Sequence, residues 1–236
     1  MAILLSASCI NAKTLVVYYS FTNNVHTIVN NLHTQIDADV IRIEPAEKGI
    51  DYADNNYAAG SALISAIRNN PDDVASYPAI DPVEVNLDEY DMVIVAAPLW
   101  WSQMAAPLQT FLFQHGKEMK GKRIGLIVSS ASSGISSVVA DAKRLIPQGI
   151  FLEPNLWIRS SQVSNCHSMI EQWLKGIDYT TITSSISAVG SDGEEEVIAR
   201  YNMGGQRIAA EQQIVGISIT LYRKAGKTYS RKSIVK

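Results

Sequence analysis

Three short stretches of this 236-residue chain could hold a ligand, and none of the three carries a Lys, Arg, Asp or Glu. The first is Ser20-Phe21-Thr22-Asn23-Asn24, which follows five apolar or aromatic residues and precedes a segment of helical period. A helix start offers unpaired backbone N–H groups and the positive end of the peptide dipole, which suits a phosphate. Hydroxyls from Ser20 and Thr22 would add donors, so a dianion can be held without a cation. Plain N-capping by Asn23 or Asn24 is the other reading. The second stretch, "APLWWSQ" (97–103), places Trp100 and Trp101 directly after a buried strand. Adjacent tryptophans rarely both enter a core, so one is expected on the rim, where a planar ligand stacks or lies beside it. Cover for a sheet edge or a subunit contact would explain them equally. The third, "SSASSGIS" (129–136), is free of bulk and lets backbone groups approach a flat polar ring, or else it is an idle loop.

The elements that must position these loops are legible from periodicity. Residues 13–19 read as a strand that is apolar at nearly every position, as burial on both faces of a parallel sheet requires. Val25, Ile28, Val29, Leu32 and Ile36 make one helical face over 24–36. "DVIRIEP" (39–45) alternates as a second strand, and "DYADNNYAAGSALISAIRNN" reads as a loop entering a helix over 56–69. Strands are expected over 92–97, stopped by Pro98, and over 122–130 and 151–158. Helices are expected over 105–115, capped by Gly116, and over 135–146 and 165–176. Strands alternating with helices of this length imply a doubly wound α/β fold with a five-stranded parallel sheet. In such folds ligands bind beyond the carboxyl ends of the strands, where strand order reverses. The three loops follow the first, third and fourth strands, so one ligand could touch them all.

Composition sets the remaining bounds. Residues 13–178 hold 12 Lys and Arg against 18 Asp and Glu, net −6, whereas 179–236 hold 8 against 5, net +3. The asymmetry argues for two pieces of different character, and neither shows the basic, aromatic clustering of a nucleic-acid surface. No apolar run approaches the roughly 18–20 residues that span a membrane. Two cysteines, Cys9 and Cys166, neither in a CxxC or in a Cys/His pattern of zinc-ligand spacing, suggest no disulfide framework and no zinc site. Residues 1–12, "MAILLSASCINA", resemble the end of an export signal cut after Ala12 or a lipoprotein signal with Cys9 acylated, pointing to the periplasm or envelope; read instead as an ordinary apolar N-terminus, they leave the chain cytoplasmic. After Asp178 a Ser/Thr/Gly-rich linker (179–193) is expected, then a small antiparallel β-module over 194–236 with hairpin turns at "MGGQ" and "KAGK".

Residues 13–179, roughly 70% of the chain, resemble the flavodoxins, in particular flavodoxin-like proteins of gut bacteria. Those carry motifs like "YYSxTGNT", "PIWWGxxPxPVxTFL" and "THGGSGxG", which read here "YYSFTNNV", "PLWWSQMAAPLQTFL" and "SSASSGIS". The middle motif is the most specific and runs on through Pro107, Thr110, Phe111 and Leu112. The resemblance implies the strand order 2-1-3-4-5 and FMN as cofactor. It places the phosphate on the loop of Ser20, Phe21, Thr22, Asn23, Asn24, Val25 and His26. The ring would lie between Pro98, Leu99, Trp100, Trp101 and Ser102 on one side and Ser130, Ala131, Ser132, Ser133 and Gly134 on the other. Asn23 replaces the usual glycine, Val25 the usual threonine, and Ala131 and Ser132 usual glycines. Asn best tolerates a left-handed backbone, but the lost threonine hydroxyl removes a donor worth about 1 kcal/mol. The tail resembles the C-terminal β-module of many exported Bacteroidetes proteins.

The implied activity is electron transfer or flavin-dependent reduction, as a carrier or an NAD(P)H or quinone oxidoreductase. Its partner would be a redox protein or small electron acceptor, with a homodimer among the options. No residue has the setting of a catalytic acid, base or nucleophile. The competing reading is a cofactor-free flavodoxin-fold binding module of the cell envelope. No GxSxG or GxxxxGK[ST] run is present to support a hydrolase.

Overall fold

The computed structural model describes residues 13–185, 196–202, 206–208, 216–224 and 227–235. The signal-like residues 1–12 and most of the expected linker lie outside them. The described residues fall into two compact units, divided near Ser185.

The first unit runs β1 (Thr14–Tyr18), α1 (Asn24–His33), β2 (Asp39–Arg42), α2 (Asp54–Asn69), β3 (Met92–Trp100), β4 (Gln103–Met104), α3 (Ala106–His115) and β5 (Arg123–Ser130). It continues through α4 (Ser136–Leu145), β6 (Ile150–Phe151), β7 (Leu156–Arg159), α5 (Cys166–Gly176) and α6 (Tyr179–Ser185). The parallel sheet is ordered β2-β1-β3-β5-β6, with β7 also on β5. That is the expected order 2-1-3-4-5, its fifth strand broken in two. The break spans Leu152–Asn155, where Pro154 has no N–H to donate to a ladder.

Both faces of the sheet are covered, which is why its strands lack polar alternation. Leu15, Val17 and Tyr19 point into a core shared with α2, α3 and α4, and Val16 and Tyr18 into one shared with α1 and α5. Val93 and Val95 face the first core and Met92 and Ile94 the second. Each such fully buried side chain contributes about 1.5–3 kcal/mol, so the register cannot slip without turning both sets around.

Several expected boundaries are corrected. Pro98 does not stop β3, which pairs with β5 at Pro98↔Ser129 and continues to Trp100. Tyr19 N–H donates to Ala96 O, and two residues on the Pro98 carbonyl accepts instead from Ala105 N–H. Because β1 has ended there, no neighbour needs the donor that proline lacks. The helix α1 ends at His33, short of Ile36. Asn55, Asn56 and Tyr57 are left-handed, so regular helix in α2 begins only after them. Gly116 is not a left-handed cap (φ −63°); a Cβ there would lie against the Leu145 carbonyl. The linker stretch opens as helix α6, because Tyr179 and Ile182 pack against the α1–α5 core and Tyr179 Oη bonds Thr14 Oγ1 at 3.0 Å.

The second unit is a four-stranded antiparallel sheet, ordered β11 (Lys227–Val235), β10 (Gly216–Lys224), β8 (Glu196–Asn202), β9 (Arg207–Ile208).

Candidate functional site

The order of the sheet reverses between β1 and β3, and the loops leaving their carboxyl ends face one another across that point. In the first loop Asn23 sits at the N-cap of α1 with φ 62° and ψ −3°, and its side chain makes no capping bond. Asparagine is therefore there for its tolerance of the left-handed backbone rather than as a cap. Ser20 takes the capping role from further back, its Oγ accepting from His26 N–H at 3.2 Å. Thr27 N–H donates to Asn23 O at 2.9 Å. The N–H groups of Asn24 and Val25, in the first helical turn, have no intrahelical acceptor. They form an uncharged donor set at the positive end of α1. The Val25 side chain is buried in the α1–α5 core, so only its backbone faces the loop. His26 is held outside, with Nδ1 2.7 Å from Tyr18 Oη and Nε2 3.1 Å from Asn30 Nδ2.

The second loop is a tight hairpin. Leu99 and Trp100 of β3 pair with Met104 and Gln103 of β4, leaving Trp101 (φ 46°) and Ser102 (φ 63°) at the tip. The two tryptophans divide the roles expected of them. Trp100 is 9% exposed and Trp101 38%. Trp100 meets Tyr19 edge-on at 5.5 Å, Phe21 edge-on at 6.2 Å and Tyr52 at 5.0 Å. Trp101 crosses Trp100 at 6.4 Å and Tyr57 at 6.0 Å. Burial holds the phenols of Tyr18, Tyr19 and Tyr52 above the ordinary tyrosine range, so all three are neutral hydroxyls.

The third loop leaves β5. Ser130 Oγ donates to Ser133 O at 2.8 Å and accepts from Trp157 Nε1 at 2.8 Å, which ties the loop start to β7. Ala131, Ser132, Ser133 and Gly134 are exposed.

These loops enclose an open cleft of about 300 Å³. Of the residues singled out from sequence, Phe21, Thr22, Asn24, Pro98, Leu99, Trp100, Trp101, Ser130 and Ala131 line it. Ser20, Asn23, Val25, His26, Ser102, Ser132, Ser133 and Gly134 do not. Ser129, the first residue of the third stretch, lines it too, and so do Tyr52, Tyr57 and Ser160, which were not singled out. The tyrosines belong to the polar, aromatic segment before α2, where two aromatics among asparagines were the available signal. Ser160 had none, since it follows the last strand in an ordinary polar run. Among the described residues, none that lines the cleft is charged.

Elsewhere the chemistry is sparse. Cys166 is buried, and burial pushes its thiol up, the opposite of a nucleophile's setting. Among the described residues no three His, Cys, Asp or Glu gather to hold a metal, and no helix is long and apolar enough to cross a membrane.

The sequence model of the flavodoxin family matches residues 13–177. Among solved structures, the chain is similar to a candidate flavoprotein from Bacteroides eggerthii, at 23% identity and a TM-score of 0.57 over 71% of this chain and 99% of that one. A second candidate flavoprotein, from Bacteroides uniformis, matches at 24% identity and 0.56, over 70% and 99%. A flavoprotein from Lactobacillus acidophilus in complex with FMN matches at 21% and 0.51, over 65% and 97%. At these identities the likeness speaks for the fold. No curated protein matches the chain.

Proposed function

The chain belongs to the flavodoxin family, and on that premise we propose that its cleft binds FMN and serves electron transfer or flavin-dependent reduction. The observation that carries this reading is the meeting of three different surfaces at the switch point of the sheet. One is an uncharged donor set at a helix start, one an aromatic hairpin, and one a loop of small residues. A solved protein of similar fold is in complex with FMN.

The residues present fit that group. Thr22 and Asn24 line the cleft beside the free N–H groups of the first turn of α1, a donor set suited to a phosphate. With no Lys or Arg in the lining, the dianion would be held by the helix dipole and hydrogen bonds alone. Trp100, Trp101 and Tyr52 would offer flat apolar surface to a ring, and Ser130 and Ala131 close polar backbone opposite. FMN, when bound, supplies one- and two-electron redox chemistry. The chain's part is to bind it, orient it and keep water from one side. Among the described residues lining the cleft there is no His, Cys, Asp, Glu, Lys or Arg. This favours passing electrons over a reduction that draws a proton from a side chain.

A second reading, a cofactor-free binding module, is favoured by one feature. Ser20, whose hydroxyl is a natural phosphate donor, is only 3% exposed, and its Oγ accepts from His26 N–H. A visible spectrum of the purified chain before and after adding FMN decides between them. Flavin bands with fluorescence quenched on titration support the cofactor reading, and reduction by NADPH would then separate reductase from carrier. No bands and no quenching at micromolar FMN would leave the binding module.

A further inference from the structure

The turn that presents the two tryptophans is strained, and the groups that hold it lie outside the cleft. Trp101 and Ser102 are the two central residues of a two-residue hairpin, both with positive φ. Turns of that hand favour Asn-Gly or Gly-Gly, because every other residue sets its Cβ against the backbone. Such a conformation persists only where the surroundings over-determine it.

Three helices supply that restraint. From α4, Asp141 Oδ2 accepts from Met104 N–H at 2.9 Å and Oδ1 from Gln103 Nε2 at 3.3 Å. From α2, Arg68 Nε donates to Gln103 Oε1 at 3.3 Å and Nη2 to the Trp101 carbonyl at 3.4 Å. From α3, Gln109 Nε2 donates to Met104 O at 2.7 Å. The side chain of Asp141 is only 8% exposed, and its nearest cation, Arg144 Nη2, is a loose 3.9 Å away. A charge placed there is costly unless its oxygens are used, and both are spent on the hairpin.

We propose that Asp141, with Arg68, is the latch that positions the Leu99–Met104 hairpin so that Trp100 and Trp101 form a fixed wall of the cleft. Neither residue lines the cleft, so both act through the tryptophans. The proposal rests on the FMN reading for its effect on cofactor affinity alone; the latch itself stands apart from it.

The test measures hydrogen exchange of the Leu99–Met104 segment in the full chain, with FMN affinity from flavin fluorescence, for wild type, D141L, R68M and D141N. D141L removes both acceptor oxygens at similar volume, R68M keeps the aliphatic stem, and D141N keeps an acceptor for Met104 N–H. Exchange in the hairpin is expected to quicken at least about tenfold in D141L and R68M, the scale of one lost charge-assisted bond. The β5 segment should be unchanged, and FMN affinity should fall by a similar factor. D141N should fall between wild type and D141L, because a neutral oxygen keeps about half of the Met104 bond and the amide nitrogen cannot accept from Gln103 Nε2. Unchanged hairpin exchange in D141L and R68M overturns the proposal. So does faster exchange with unchanged FMN affinity, or D141N behaving like D141L. A D141L chain that does not fold leaves R68M to decide. If wild type takes up no FMN, the cofactor reading falls and the exchange comparison still decides the latch.

Discussion

Replacing Gly60 with alanine sets one methyl group against the tryptophan wall, and two opposed effects can be weighed. Gly60 is buried on α2, and a Cβ there falls 2.8 Å from Trp101 Cζ3, 2.9 Å from its Cη2 and 3.7 Å from Trp100 Cε3. Its backbone is not left-handed, so alanine suits the helix and gains about 1 kcal/mol over glycine. Ordinary carbon contacts lie at about 3.5–4.0 Å, so the Trp101 ring must retreat by roughly 0.7–1.2 Å. Overpacking costs about 1–3 kcal/mol in a closed core. Trp101 is 38% exposed at a hairpin tip, so it can swing outward and the lower figure applies. The two effects nearly cancel. G60A should therefore melt within about 4 °C of wild type, while its tryptophan emission shifts to the red and near-UV dichroism changes. An aromatic contact is worth about 0.5–1.5 kcal/mol, so FMN affinity should fall about two- to twelvefold. A melting temperature raised by the full helical gain, with emission and affinity untouched, would refute the view of Gly60 as a spacer for Trp101.

The other predictions follow from single residues. N23A should cost about 1 kcal/mol, because Asn23 holds φ 62° without a capping bond, while N23G should match or exceed wild type; equal denaturant midpoints for N23A and N23G would contradict this. S20A removes the acceptor of His26 N–H and should cost about 1 kcal/mol, with faster amide exchange confined to the first turn of α1. Burial raises the Asp141 carboxyl above its ordinary 3.8, so between that folded value and 3.8 the folded chain binds a proton the unfolded chain lacks. Stability therefore gains from Asp141 as pH falls through that window. Acid titration of unfolding should show the difference between wild type and D141N moving toward wild type, and a move the other way would reverse the sign argued here.

The sequence by itself determined the architecture and the sites of the three loops. Fully apolar runs such as Leu15–Tyr19 can be satisfied only between two helical layers, and the face of α1 is written in the spacing of Val25, Ile28, Val29 and Leu32. The left-handed tolerance of Asn23 was also legible, because it is a property of one residue's backbone. The course of β3 past Pro98 was not. A proline ends a strand only if a neighbour needs its N–H, and that depends on where β1 stops. The broken fifth strand and helix α6 were hidden for the same reason, since packing partners far along the chain decide them. In the cleft, Tyr52, Tyr57 and Ser160 are brought to Trp100, Trp101 and Ser130 respectively by the placement of distant elements, which no local period encodes. No local period in the sequence marks Gly60 under Trp101 or Asp141 behind the hairpin. Only the tertiary structure makes one a spacer and the other a buried acceptor, because clearance and burial belong to the space between elements and not to the elements themselves.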